Sequence, residues 1–337
     1  MKRSHRASLL LLLLTVVAFG LAGCTVEQSV FDAKGPVAEK QLSLIYLSFW
    51  IMTGVTIVVA VILIYVIIRY RERKGQEGTI PKQVEGNSLL ETIWVVIPVI
   101  LLTILLIPTV TITYELADAS DDGNSLEVVV TGKQYWWEFY YPELDIVTAN
   151  ELHIPTDTKI HLQLEATDVI HSFWVPKLGG KAGTIPGRTN YMWLQADEPG
   201  VYSGQCAEYC GASHALMAFE VVAHEEGDFD SWVAEMTAPP SEGLTELAQE
   251  GEAIFAQSCA SCHAVESTPD TLGMAGPNLA NFGNRNKLAA AILENDRESL
   301  KDWIMHPQDI KPGNLMPDLN INDDQAEALA EYLHSLK

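Results

Sequence analysis

Cys206-Ala207-Glu208-Tyr209-Cys210-Gly211-Ala212-Ser213-His214-Ala215-Leu216-Met217 gathers two thiols, an imidazole and a thioether on one short stretch. Thiolate and thioether are soft donors that suit copper, and imidazole suits copper and several other metals. The spacing C-x-x-x-C-x-x-x-H-x-x-M puts all four donors on a single loop. A further imidazole stands upstream in Asp168-Val-Ile-His171-Ser-Phe-Trp174. One thiolate serves one ion; two thiolates four residues apart can bridge a pair of ions and share charge between them. The other reading of these cysteines is a disulfide between Cys206 and Cys210. An oxidising compartment permits it, but it leaves the flanking His and Met without a role.

A second cluster follows. Cys259-Ala260-Ser261-Cys262-His263 is a C-x-x-C-H run, the attachment signature of a c-type haem. The two thiols add across the haem vinyl groups and His263 is placed to coordinate the iron. A free redox dithiol is the alternative reading of C-x-x-C, and the adjoining His argues against it. The sixth ligand should be a downstream methionine: Met274, Met305 or Met316. Lys311-Pro-Gly-Asn-Leu-Met316-Pro317 reads as a rigid turn that projects a thioether, which favours Met316. Met305 falls on a helical stretch, and His306 offers a bis-imidazole alternative. Leu244, Leu247, Ala248, Gly251, Ile254 and Phe255 recur at helical spacing, and Asp323 to Leu336 should close the domain as a terminal helix. Residues 244–337 thus read as an all-α haem domain.

The first 115 residues have a different character. Lys2, Arg3 and Arg6 precede an apolar run from Leu9 to Val17, and Leu21-Ala22-Gly23-Cys24 resembles a bacterial lipoprotein cleavage box. We expect residues 1–23 to be a signal peptide, with acylation at Cys24 and a short N-terminal segment over 24–41. Leu42 to Ile68 and Thr92 to Tyr114 contain no charged residue, and each is long enough to cross a bilayer core. Arg69, Arg71, Arg73 and Lys74 follow the first run and should stay cytoplasmic. A transmembrane helix hairpin over 42–115 with both ends outside is the result. Pro98 and Pro108 are positions where the second span can bend. Glu91 opens that span, where an acid is ordinarily interfacial and solvated.

Between the spans and the haem segment, residues 116–223 read as an all-β domain. Leu126–Thr131, Tyr135–Tyr141, Lys159–Thr167, Asn190–Leu194 and Ala218–Val222 show alternation or β-branched and aromatic content, punctuated by Gly, Pro and Asp clusters. Many short strands with turn signals predict a sandwich or barrel. Residues 224–243 are acidic and run into Pro239-Pro240; they predict a short helix over 228–236 and then a linker.

The formal charge of −23 is unevenly spread: residues 1–114 hold 10 basic and 7 acidic side chains, and residues 115–337 hold 11 and 37. An acidic surface argues against nucleic acid; it suits a basic protein partner or serves only to keep the domains soluble. The five cysteines are all accounted for by lipidation, the metal loop and the haem. His153, His161, His224 and His334 have no ligand context and read as surface or satisfied barrel residues.

These motifs together resemble subunit II of the haem–copper cytochrome c oxidases with a cytochrome c domain fused at the C-terminus. The resemblance covers nearly the whole mature chain, and Cys206–Met217 is its most specific part. It implies a cupredoxin-like Greek-key barrel whose copper loop joins the last two strands, followed by a class I cytochrome c domain. In the binuclear copper A (CuA) site it implies, Cys206 and Cys210 bridge the two coppers, and His171 and His214 each bind one. Met217 and the backbone carbonyl of Glu208 are the weak axial ligands. The Glu208 side chain would help hold magnesium against subunit I. Glu91 would stand at the mouth of a proton path, and an aromatic of Gln134-Tyr-Trp-Trp-Glu-Phe-Tyr-Tyr141 would accept electrons near copper. Many members have Trp at Tyr135, which leaves that role open between Tyr135 and Trp136. The spacing of Met316 and the Gly276-Pro-Asn-Leu279 loop are similar to those of small bacterial cytochromes c.

The implied function is passage of electrons from an external cytochrome c, through haem c and CuA, to the haem of subunit I, where oxygen is reduced. The implied partners are subunit I and other oxidase subunits, soluble or membrane-bound cytochrome c, and membrane lipid. The implied place is the bacterial inner membrane, with the copper and haem domains on its extracytoplasmic side. The alternatives are the CuA subunit of a nitric oxide reductase and a membrane-anchored electron carrier. A quinol oxidase subunit is disfavoured because that relative lacks the copper ligands.

Overall fold

Both uncharged runs lie inside long helices, α1 (Pro36–Arg69) and α2 (Ser88–Ala117), each long and apolar enough to cross a membrane. At about 1.5 Å per residue they exceed the ~30 Å bilayer core. The computed structural model describes residues 27–72, 85–117, 125–225, 227–238 and 243–337, together with Leu12, Thr15, Gly75 and Gly78. The expected signal peptide and Cys24 therefore lie outside the described residues, apart from those two isolated positions. α1 starts at a proline, where the missing N–H costs no helical bond. α2 continues through both Pro98 and Pro108. Lys40 pairs with Glu115, joining the start of α1 to the end of α2. Those two ends also face the β-domain: the Lys34 backbone bonds to Lys177 and Asp197, and Val37 and Ala38 are buried.

Ten strands form two five-stranded sheets. They are β1 (Leu126–Lys133), β2 (Trp136–Tyr141), β3 (Ile146–Ala149), β4 (Glu151–Pro155), β5 (Ile160–Ala166), β6 (His171–Trp174), β7 (Ala182–Thr184), β8 (Asn190–Leu194), β9 (Gly200–Cys206) and β10 (Ala218–His224). The orders β3-β2-β1-β5-β8 and β4-β10-β9-β6-β7, with β1 parallel to β5 and β4 parallel to β10, give the expected cupredoxin-like arrangement. Alternation explains the core: every second residue of β5 from Ile160 is buried, and Val128 and Val130 of β1 face the same way. Trp137, Phe139, Phe173 and Phe219 fill the centre with no exposed surface. β8 has the predicted bounds, and β1, β5 and β10 lie within two residues of theirs. β2 differs: it begins at Trp136, so Tyr135 sits in the turn that joins it to β1. β3, β4, β6, β7 and β9 are strands that the sequence reading left as connections.

The predicted linker helix is α3 (Asp228–Thr237), whose Trp232 and Met236 pack into the β-domain core. The haem segment holds α4 (Glu246–Ser258), α5 (Arg297–Met305) and α6 (Asp323–Ser335). Their starts are capped by Thr245, Asp296 and Asn322, the last in a reciprocal capping box with Gln325. α4 and α6 cross where Gly251 meets Ala328 and Tyr332, a contact too close for a Cβ. Phe255, Phe282, Leu300, Ile304, Leu329 and Leu333 form the core of this domain.

The helical domain rests directly on the β-domain. Ser267 Oγ donates to Val147 O and accepts from Val147 N, each at 2.9 Å. The Asn286 amide donates to Glu151 at 2.8 Å, and Trp136 packs with Ala149 and Ala290.

Candidate metal centre

The loop after β9 folds back through a 3-10 turn, His214–Leu216, into β10. This return brings Cys206, at the end of β9, opposite Cys210 and Met217. The two cysteine sulfurs lie 3.9 Å apart as free thiols, well beyond the ~2.05 Å of a disulfide. His214 Nδ1 is 3.6 Å from Cys210 Sγ, and His171 Nδ1, from the start of β6, is 3.9 Å from Cys206 Sγ. Met217 Sδ stands 3.8 Å from Cys210 Sγ, and the Glu208 carbonyl oxygen 3.2 Å from Cys206 Sγ. All six residues named from the sequence converge, with His171, Cys206, Cys210 and Met217 buried. The donor atoms of His171, Cys206 and Cys210 all lie within 4.8 Å of one another. Two thiolates, two imidazoles and a thioether at these separations fit soft, copper-type coordination.

The electrostatics favour a cation here. Burial pulls the His171 imidazolium down, but Asp168 and the Cys206 sulfur outweigh it and hold its pKa up to about 8. The hydrogen bond from Cys210 lowers Cys206 and correspondingly raises Cys210. In the metal-free protein the sulfur pair thus readily holds one negative charge and resists a second. A bound metal cation would favour loss of the remaining proton.

The surroundings were not legible beforehand. Asp168 Oδ1 accepts from His171 Nε2 at 2.8 Å, which turns Nδ1 toward the sulfurs. The D-x-x-H spacing was the only trace of it. Gly132 of β1 leaves room for the ring, since a Cβ there would sit 2.9 Å from His171 Cδ2. Trp137 meets His171 edge-on at 6.0 Å between centroids. Glu208 is exposed, and so is Glu91 in the first turn of α2.

The C-x-x-C-H run ends α4 and lies on the wall of a cavity of about 290 Å³. Cys259, Cys262, His263 and Met316 all line it, together with Phe255, Leu300, Trp303 and Leu333. Met274, Met305 and His306 are absent from the lining. The Pro277 carbonyl accepts from His263 Nδ1 at 2.8 Å, which leaves Nε2 as the free ring nitrogen. Burial holds His263 below its usual pKa and so keeps it neutral, the form a metal ligand needs. An apolar chamber with two thiols, an imidazole and a thioether on its wall fits a haem. The β-domain supplies part of that wall through Gln134, Tyr135 and Trp136.

His153 and His224, on neighbouring strands of the barrel, are paired with each other. His153 Nδ1 and His224 Nε2 are 2.8 Å apart, both rings lie near Trp232, and His153 also reaches Glu151 at 3.3 Å.

Comparison with known proteins agrees with this geometry. The family model for the transmembrane domain of cytochrome c oxidase subunit II matches residues 23–112, and that for its periplasmic domain matches residues 144–224. A cytochrome c model matches residues 248–337. Cytochrome c oxidase subunit 2 of Alkalihalophilus pseudofirmus is 44% identical over 96% of this chain and 96% of that protein. The subunit 2 of Bacillus sp. PS3 is 46% identical over 96% of this chain and 95% of that protein. Quinol oxidase subunit 2 of Bacillus subtilis is 41% identical over 68% of this chain and 73% of that protein. The two oxidase relatives match across the membrane, β and haem parts alike, and the chain belongs to the cytochrome c oxidase subunit II family, with a cytochrome c domain at its C-terminus.

Proposed function

We propose that this chain is the electron-accepting subunit of a respiratory oxidase. It takes electrons from an external cytochrome c at its own cytochrome domain, passes them to its copper domain, and delivers them to subunit I for oxygen reduction. One observation carries this reading: Tyr135 and Trp136 of the β-domain wall the cavity that holds Cys259, Cys262, His263 and Met316. Electron acceptor and electron source share a partition.

Cys206 and Cys210 would hold the copper pair through their sulfurs, with His171, His214, Met217 and the Glu208 carbonyl as the remaining donors. Cys259 and Cys262 would attach the haem, and His263 and Met316 would supply the donors to its iron. Bound there, the copper pair and the haem supply one-electron storage. The residues around them exclude water, fix donor orientation and hold the geometry constant, which keeps reorganisation small.

The acidic domains face the outside of the bacterial inner membrane and attract a basic donor. The two spans bury against subunit I and lipid, and acylation of Cys24 adds a second hold on the bilayer. Exposed Glu208 would help hold a magnesium ion shared with subunit I, and Glu91, in the first turn of α2, would stand at the mouth of a proton path. Proton pumping and oxygen chemistry belong to the partner subunit.

The test is Cys206→Ser in the full chain. The copper paramagnetic resonance signal should vanish while covalent haem is retained. Loss of both, or of neither, contradicts two independent centres.

A further inference from the structure

Lys311 is almost completely buried, at 3% exposure, yet it belongs to a turn of the cytochrome domain. Its Nζ donates to the Tyr135 carbonyl at 2.7 Å, across the domain boundary, and to the Ala289 carbonyl at 2.9 Å within its own domain. The next residue makes the reverse contact. Ser213, 1% exposed and adjacent to His214 in the copper loop, donates its hydroxyl to the Pro312 carbonyl at 2.6 Å. Gly313 then lies against the copper loop: a Cβ there would be 3.5 Å from Ala212 and 3.9 Å from the Tyr135 hydroxyl.

This turn is rigid as far as Met316. Asn314 Nδ2 donates to the Pro307 and Lys311 carbonyls, at 2.8 and 2.6 Å, and its Oδ1 accepts from Met316 N at 2.7 Å. Gln308 Nε2 donates to the Asn314 and Met316 carbonyls. One stiff segment therefore touches the copper loop at its start and lines the haem cavity at its end.

We propose that Lys311 and Ser213 form an interdomain clasp that fixes the Met316 turn on the copper loop, making Lys311 a positioning residue for electron passage between the two domains. The inference rests on the functional reading above and goes beyond it. A salt bridge would require a carboxylate, and neither of Lys311's two acceptors is one; both are carbonyls of ordered turns. Only two of these bonds cross the boundary, Lys311 to the Tyr135 carbonyl and Ser213 to the Pro312 carbonyl, and losing either favours local separation of the two loops by about tenfold, the equivalent of ~1.4 kcal/mol. Electron transfer between the two centres falls steeply with the gap between them, so a loosened clasp slows it through local separation of the two loops, while Ser267 and Asn286 still hold the domains together.

The experiment uses the full-length protein purified with its partner subunits, and the variants Lys311→Met, Lys311→Arg and Ser213→Ala. Copper and haem content and both midpoint potentials are measured first. Internal transfer is then timed after rapid reduction of the haem, and hydrogen exchange is followed at 211–214 and 311–316. Lys311→Met and Ser213→Ala should keep both centres, raise exchange in both loops by up to about tenfold, and slow internal transfer relative to wild type, with Ser213→Ala leaving both potentials unchanged. Lys311→Arg, which keeps donors at that position, should recover part of the rate. Unchanged exchange and rate in Lys311→Met overturns the clasp, as does raised exchange with an unchanged rate. If Lys311→Met loses a centre, Ser213→Ala, which removes one hydroxyl, decides by the same two readouts. Wild-type protein lacking copper or covalent haem would instead sink the functional reading itself.

Discussion

Asp168 Oδ1 lies 2.8 Å from His171 Nε2, and this one contact decides which nitrogen of the imidazole faces the sulfur pair. Asp168 also accepts from the Gln134 and Val169 amides, which hold the carboxylate in place. Asp168→Asn keeps the shape but weakens the acceptor. Copper affinity should fall about 10- to 100-fold, as for other outer-shell partners of metal-bound histidine. Competition with a calibrated chelator measures it; covalent haem should be unaffected.

Met316 lines the haem cavity while Met274 and Met305 do not. Met316→Leu should keep haem attached through Cys259 and Cys262 but lower its midpoint potential, because thioether ligation raises it. The expected drop is on the order of 0.1 V, within the ~0.8 V range that axial ligands control. Met274→Leu and Met305→Leu should leave the potential where it is. A redox titration of the three variants separates them.

The copper loop was readable because its donors are close in sequence, Cys206 through Met217, and the haem run for the same reason. Both spans and the haem-domain helices declared themselves by hydropathy and periodicity. Five strands did not. β9 is Gly-Val-Tyr-Ser-Gly-Gln-Cys, too rich in glycine to read as a strand, and it is held by its ladder with β10. β6 is four residues long and begins at a ligand. The contacts that place the two centres relative to each other were equally silent. Lys311 meets Tyr135 across 176 residues of sequence, and His153 meets His224 across 71. No period or motif signals a pairing that only tertiary structure creates.

Gly204 of β9 faces the Phe219 ring so closely that a Cβ would collide with it. Phe219 in turn stacks on Phe173 at 4.6 Å, two residues from His171. Gly204→Ala should destabilise the β-domain by about 1–3 kcal/mol through overpacking. It should also loosen copper through the displaced aromatic pair. Thermal unfolding and copper retention measured on the same sample test both effects.

Burial and the neighbouring His153 push His224 down to about 4, against an ordinary value of 6.5. The sign follows from proton uptake. Above pH 6.5 the ring is neutral in the folded and unfolded chain alike. Between 6.5 and 4 the unfolded chain takes up a proton that the folded chain refuses. This contribution to stability is therefore full above about pH 6.5 and is lost as pH falls toward 4. His224→Gln should flatten the fall in melting temperature across that window relative to wild type. An identical pH profile in the two proteins would show that His224 ionises freely in the fold.

Metal and haem analysis of the purified wild-type chain, with paramagnetic resonance on the same sample, tests the central claim most directly. The account predicts about two coppers sharing one unpaired electron, one covalently bound haem, and Cys206 and Cys210 both free of disulfide. A Cys206–Cys210 disulfide in the active protein, with no copper bound beside it, would contradict it.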